Sequence, residues 1–362
     1  MLVLLSVKGK RNSLNALIIF HSINAAKILF WCVWAIHKTG TIDLNYLQYV
    51  DEHYYVELRH ANIAIANLYH LAVIGMRKMG FAASNIKMVN VLVSSFAVVR
   101  LYALKDFVRH KRRYVMYIYC FCGVLFLHIV YYSVFALKDA VFFYVAIEFL
   151  VQLIQRPVRN RWALIAILSA VLMLIRPPMI VGFFVFLFDR TWTFHRKRVF
   201  VLAALATVLI VTCDRFEPRK FHRFVASGLR ENMGAEGKSV HPREMVGYAR
   251  EVVSSRPVVY AKHILTNMRN ATMVYAQTDL TNQLILVLEW CTVFYLLIIR
   301  KSLRRLMEWW PILCVAVLYF VGGILTAYNI RYQAFPSAFV ICLAAFVASS
   351  PYPYMCPGYH PE

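Results

Sequence analysis

Two adjacent acids, Asp51 and Glu52, stand in the stretch Val50-Asp51-Glu52-His53-Tyr54-Tyr55. A carboxylate in such a place can take the proton from an attacking hydroxyl. Cations recur in short connections further along: Lys138 before Asp139, Arg176 before Pro177 and Pro178, and Arg331 before Tyr332. A fourth group, Arg215, Arg219, Lys220 and Arg223, opens a long basic segment. Arginine binds two phosphate oxygens at once, and either cation stabilises a departing phosphate. A base with phosphate-binding cations is equipment for replacing a phosphate on carbon by a hydroxyl oxygen. No GxGxxG or Walker A sequence competes with that chemistry.

The elements that must position these groups follow from composition. The 362 residues are 60% hydrophobic and 16% charged, which excludes an ordinary soluble globule. Forty Lys and Arg against 18 Asp and Glu leave a formal charge of +22. A nucleic-acid binder has the same sign of charge but needs a hydrated basic face, not apolar runs through most of the chain, so no nucleic acid is expected as a partner. The expected fold is all-α, a polytopic bundle of about ten transmembrane helices in a single integral membrane domain over 1–362. The runs are Leu14–Ile36, Ile86–Leu104, Tyr114–Phe135, Ala140–Gln155, Trp162–Ile175, Pro177–Phe188, Val199–Cys213, Asn282–Ile299, Trp309–Tyr328 and Ala334–Ser349. The fourth to seventh are short, so eight to eleven spans bracket the expectation.

Orientation follows from Lys and Arg. With both termini inside, the inner connections hold nineteen of them and the short outer connections seven, a positive-inside distribution. The first run has a basic flank and no small-residue cleavage site, so it reads as a retained signal anchor. Two outer segments are large. Residues 37–85 hold the acidic pair and then Ala61–Met79, whose Ile63, Ala64, Leu68, Leu71, Ala72 and Met76 recur at helical spacing for an interfacial helix. Residues 214–280 are basic, pass Gly228, Gly234 and Gly237 as a turn region, and offer two helices expected to rest on the outer leaflet, Pro242–Ser254 and one starting at Pro257 with Val258, Ala261, Leu265 and Met268 on one side. Residues 350–362 form a loose Pro/Tyr-rich tail.

The outer face thus gathers an acidic pair, isolated cations at span ends and a basic loop. A sugar on a polyprenyl phosphate meets those groups at headgroup level, its tail in lipid and its anomeric carbon in water. Asp51 or Glu52 is then the base, and Arg331, Arg176, Lys138 or the Arg215–Arg223 cations are the phosphate partners. Each residue has a plainer role to set against this one. Asp51-Glu52 would serve equally as a solvated helix cap, Arg176 and Arg331 as snorkelling span ends, and Lys138-Asp139 as a self-paired turn. No cofactor is demanded. A divalent cation on Asp51-Glu52 stays open, because two adjacent carboxylates without further ligands do not define a site. The eight cysteines form no CxxC pair and read as small apolar residues.

The arrangement resembles the GT-C superfamily of polytopic glycosyltransferases, which includes the protein mannosyltransferase, aminoarabinose transferase and bacterial surface-polysaccharide branches. The resemblance rests on the early Val50–Tyr55 acidic motif, Leu137-Lys138-Asp139, Arg176-Pro177, and Arg331-Tyr332 with Pro336. It implies an inverting transferase of the inner membrane in polysaccharide or glycoconjugate assembly. The donor is then a polyprenyl-phosphate sugar and the acceptor a glycan, a lipid-linked group or a protein. Asp51 is the base in that pattern, and Arg176 and Arg331 contact the lipid phosphate. A repeat-unit polymerase for O-antigen or capsule is the near alternative and puts more weight on Arg215–Arg230. A transporter or flippase is the other, with Lys27, Lys87, Glu148 and Glu289 as an intramembrane pathway.

Overall fold

The computed structural model describes residues 10–48, 50–57, 68–103, 132–154, 161–175, 218–234, 236 and 239–276, with isolated residues in 283–294 and 317–325. Among them the protein is helical, with no strand. The chain divides into two compact units, Met1–Arg176 with Ala345–Glu362, and Pro177–Ala344.

In the first unit the helices are α1 (Lys10–Thr39), α2 (Val50–Val56), α3 (Leu68–Lys78), α4 (Ala83–Ala103), α5 (Asp139–Ile154) and α6 (Arg161–Ile175). Within α1, Leu14–Thr39 is long and apolar enough to cross a membrane. Gly40 ends this helix at φ 73°, with its N–H donating to the Ile36 carbonyl at 2.9 Å, a left-handed position that a side chain would strain. Gly80, at φ 85°, closes α3: its N–H donates to Arg77 and the Phe81 N–H to Met76, leaving few carbonyls bare.

The packing of α1 on α4 inverts the pattern of a water-soluble pair. On α1, Leu14, Ile18, Leu29, Val33 and Ile36 are exposed while Asn24 and Lys27 are buried. On α4, Val89 and Leu92 are exposed while Lys87, Asn90, Ser94 and Ser95 are buried. The Lys27 ammonium donates to Ser94 Oγ at 2.6 Å, Ser95 Oγ at 2.9 Å and the Val91 carbonyl at 3.3 Å, and Ser95 donates to Asn24 at 2.7 Å. In water, turning aliphatic groups out and polar groups in forfeits the hydrophobic effect. In hydrocarbon the aliphatic side chains lose nothing outside, and polar groups gain only by finding one another.

A second polar contact fastens α4 to α5. Arg100 Nε and Nη2 donate to the two carboxylate oxygens of Glu148 at 2.5 and 2.9 Å, and Gln152 adds a bond to the same carboxylate at 2.6 Å. This bidentate geometry is the one that best offsets the cost of taking both charges from water.

In the second unit α7 (Pro218–Asn232), α8 (Pro242–Ser255) and α9 (Pro257–Thr272) precede a short 3-10 turn, Val274–Ala276. Val225, Ala226 and Leu229 of α7 bury against Met245, Ala249 and Val252 of α8. The two helices expected in 214–280 are present: α8 matches its expected bounds within a residue, and α9 starts at Pro257 as expected. A third, α7, occupies the stretch expected to be a basic opening and a glycine turn. Gly228 sits inside it on the buried side, Gly234, at φ 63°, takes a turn conformation, and Gly237 lies outside the described residues. Pro177–Phe188, Val199–Cys213, Ala334–Ser349 and most of Tyr114–Phe135 lie outside the described residues.

Arg100→Met leaves Glu148 charged and half-served, so it should cost roughly 3 kcal/mol, whereas the Arg100→Met/Glu148→Met double variant should recover most of that loss. Thermal unfolding of the three proteins in detergent measures the difference.

Candidate functional site

The acidic motif forms a helix of its own, α2, seven residues long. Asp51 lies in its first turn. Glu52 follows and is completely buried. One of its carboxylate oxygens accepts the backbone N–H of Gln48 at 2.8 Å, reaching back ahead of the helix as an acid in a first turn can. The other accepts the N–H of Ala136 at 2.6 Å, a residue far along the chain. The Lys87 ammonium lies 3.5 Å from that second oxygen, donates to the Tyr46 carbonyl, and sits over the Trp31 ring at 5.9 Å.

These bonds bring two of the sequence motifs together. Ala136 belongs to the turn that leads into α5, where Leu137-Lys138-Asp139 stands. The turn is held from below by Asn90, whose side-chain amide donates to the Phe135 carbonyl at 2.7 Å, the Leu137 carbonyl at 2.9 Å and the Tyr69 hydroxyl at 3.1 Å. Lys138 is half-buried at the head of α5, where its carbonyl accepts the Phe142 N–H at 2.9 Å. Glu52, Lys87 and Asn90 therefore fix α2 against the Lys138 turn.

An aromatic wall lines the same place. Tyr55 of α2 meets Tyr69 and His70 of α3 edge-on, with ring centroids 5.3 and 5.5 Å apart. Burial pushes the Tyr69 phenol well up from its ordinary value, the Asn90 bond opposes this, and the nearby charges of Tyr55, Glu52 and Asp139 add to it. Tyr69 is a neutral hydrogen-bonding group at every physiological pH. Burial pushes the His70 ring the other way, below 6.5.

The remaining candidates are dispersed or outside the description. Arg219 lies in the first turn of α7, and Arg223 is exposed on that helix. Arg176, Arg215, Arg331 and Tyr332 lie outside the described residues. Three of the four charges grouped as an intramembrane pathway have separate partners: Lys27 bonds the two serines, Lys87 pairs with Glu52, and Glu148 pairs with Arg100; Glu289 lies outside the described residues. Among the described residues no three His, Cys, Asp or Glu side chains gather to hold a metal ion.

No protein-family model matches this chain, and no curated protein or solved structure is similar to it. The site therefore stands on its own geometry.

Asn90 and Tyr69 were not among the residues the sequence singled out. Their signal was present: Lys87, Asn90 and Ser94 recur at i, i+3 and i+7 on one face of an apolar run, the spacing of a buried polar stripe.

Glu52→Ala should destabilise the protein by roughly 3 kcal/mol, because it strands the Lys87 charge and two backbone N–H groups. Glu52→Leu with Lys87→Leu should recover only part of this, since the Gln48 and Ala136 N–H groups still lack an acceptor; thermal unfolding in detergent separates the variants. His70 adds a pH term. Its folded pKa is lowered, so its stabilising effect is complete above the unfolded value of about 6.5 and is lost as pH falls through that value towards the folded one. The melting temperature should drop between about pH 7 and pH 5, and less so in His70→Gln.

Proposed function

We propose that the protein is a polytopic glycosyltransferase of the inner membrane, with about ten spans and both termini inside, acting on its outer face. Its donor is a sugar on a polyprenyl phosphate, and its acceptor is a glycan, a lipid-linked group or a protein. The observation that carries the reading is the 2.6 Å bond from the Ala136 N–H to Glu52, which unites the acidic helix and the Lys138 turn at one end of the α1–α4 pair. The polar-in, apolar-out packing of α1 and α4 supports the membrane setting.

The reaction divides roles between the adjacent acids. Glu52 has both oxygens engaged and no exposure, so it is the strut that orients α2. Asp51 is the base. It takes the acceptor hydroxyl proton as that oxygen bonds to the anomeric carbon from the face opposite the phosphate. The bond from the anomeric carbon to the phosphate oxygen breaks with its electron pair, and polyprenyl phosphate leaves. Lys138 stabilises the charge on that phosphate.

Asp51→Asn should reduce transfer from a short-chain polyprenyl-phosphate sugar by at least about a hundredfold while leaving the melting temperature within about two degrees of the parent. Full activity in purified Asp51→Asn protein would sink the assignment. Loss of glycan polymer in Arg219→Gln/Arg223→Gln, with Asp51→Asn unaffected, would point instead to the repeat-unit polymerase.

A further inference from the structure

The helices α7, α8 and α9 do not distribute their side chains in the same way. On α8, Met245, Ala249 and Val252 are buried while Glu244, Arg250, Glu251 and Ser254 are exposed, the arrangement expected of a helix facing water. On α7, Val225, Ala226 and Leu229 are buried and Arg223, Ser227 and Glu231 exposed, although Phe224 is also half-exposed. On α9 the pattern reverses. Its inward positions are His263, Asn267 and Ala271, and its outward positions include Val258 at 81%, Leu265 at 64% and Met268 at 44% exposure, with Ala261 between them. Met273 and Tyr275 continue the exposed apolar surface past the end of the helix.

The inward face of α9 is bonded to apolar segments. Asn267 donates to the Ile324 carbonyl at 2.8 Å, the Tyr260 hydroxyl to the Leu325 carbonyl at 2.9 Å, and the Trp290 indole to the Thr272 carbonyl at 2.8 Å. Ile324, Leu325 and Trp290 belong to the runs 309–328 and 282–299, whose own Val287, Phe294, Val317 and Val321 are exposed. The only charges on α9 are cationic. Lys262 and Arg269 are exposed beside the apolar stripe, and the helix has no Asp or Glu.

We propose that α9 lies in the plane of the outer leaflet, with Val258, Ala261, Leu265 and Met268 in the acyl boundary and Lys262 and Arg269 on anionic lipid phosphates, so that of the three helices of the 218–276 segment α9 alone rests on the membrane while α7 and α8 stand in water. An inside-out helix with an apolar outer stripe and a one-signed cationic rim complements an anionic lipid surface, and neither feature suits water. The inference rests on the membrane setting proposed above but not on the transfer reaction.

The test uses the full chain, depleted of its native cysteines, reconstituted in vesicles of phosphatidylethanolamine and phosphatidylglycerol. Single cysteines replace Leu265 (α9), Arg250 (α8) or Leu29 (α1), and each carries an environment-sensitive fluorophore. The label at Leu265 should be quenched by nitroxide-bearing lipid and be several-fold less quenched by iodide than the label at Arg250. Replacing the anionic lipid with phosphatidylcholine, or introducing Lys262→Gln/Arg269→Gln, should raise iodide access at Leu265 and leave Leu29 unchanged. Equal iodide access at Leu265 and Arg250, with Leu29 still lipid-quenched, overturns the seating of α9 and leaves the membrane setting intact. Iodide access at Leu29 as well overturns both. Protection of Leu265 from both quenchers, with a cross-linked second chain, assigns the stripe to a protein partner and also overturns the proposal.

Discussion

One buried ion pair organises the end of the first unit where α2, α3 and the Lys138 turn meet. Glu52 and Lys87 lie 3.5 Å apart with almost no exposure, and neither is tolerable there without the other. Coulombic attraction alone would leave their other lone pairs and protons unserved. The surrounding backbone serves them: Gln48 and Ala136 give N–H groups to the acid, and Tyr46 gives a carbonyl to the amine. Because the charges and their partners come from the 46–48 loop, α2, α4 and the Ala136 turn, satisfying one pair of charges sets the relative position of four pieces. Asn90 repeats the device a turn further along α4, where one amide bridges two carbonyls and a hydroxyl.

The same rule orders α4 along its length. Lys87, Asn90, Ser94, Ser95 and Arg100 each meet a partner on another element, so α4 is the polar spine on which α1 and α5 hang. Lys27 lies twelve residues before the end of α1, about 18 Å along the helix. Its partners there are two hydroxyls and a carbonyl. Their dipoles share the burden that a carboxylate carries for Lys87. Between membrane helices such contacts are individually weak, on the order of 0.6 kcal/mol each, and α1 and α4 share several.

How much of this was legible depended on how local its cause was. Helix periods were legible: α4, α5, α6, α8 and α9 begin and end within a few residues of the apolar runs or proline starts that announced them. The αL glycine after Thr39 was equally local. The fate of Glu52 was not, because its decisive partner, Ala136, is 84 residues away and contributes only a backbone N–H, which leaves no mark on residue type. The helix α7 was hidden for a different reason, since Gly228 reads as a breaker in isolation, whereas Val225, Ala226 and Leu229 around it pack on α8. The stripe Val258–Met268 is legible as the face of a helix on the outer leaflet, but nothing in the sequence marks Ile324 and Leu325 as the carbonyls that bond the Asn267 and Tyr260 side chains.

The junction between α8 and α9 ties the α7–α8 pair to α9. Arg256 is the single residue between Ser255 and Pro257, and its guanidinium grips Glu251 through two nitrogens, at 2.9 and 2.6 Å. Proline fixes the first turn of α9, and the Met245–Val252 face of α8 is already committed to α7. With no slack at this elbow, the three helices turn as one lever. A small roll of α9 about its axis sweeps the far end of α8 through a much larger arc, so any force that tilts α9 is amplified into displacement of the α7–α8 pair.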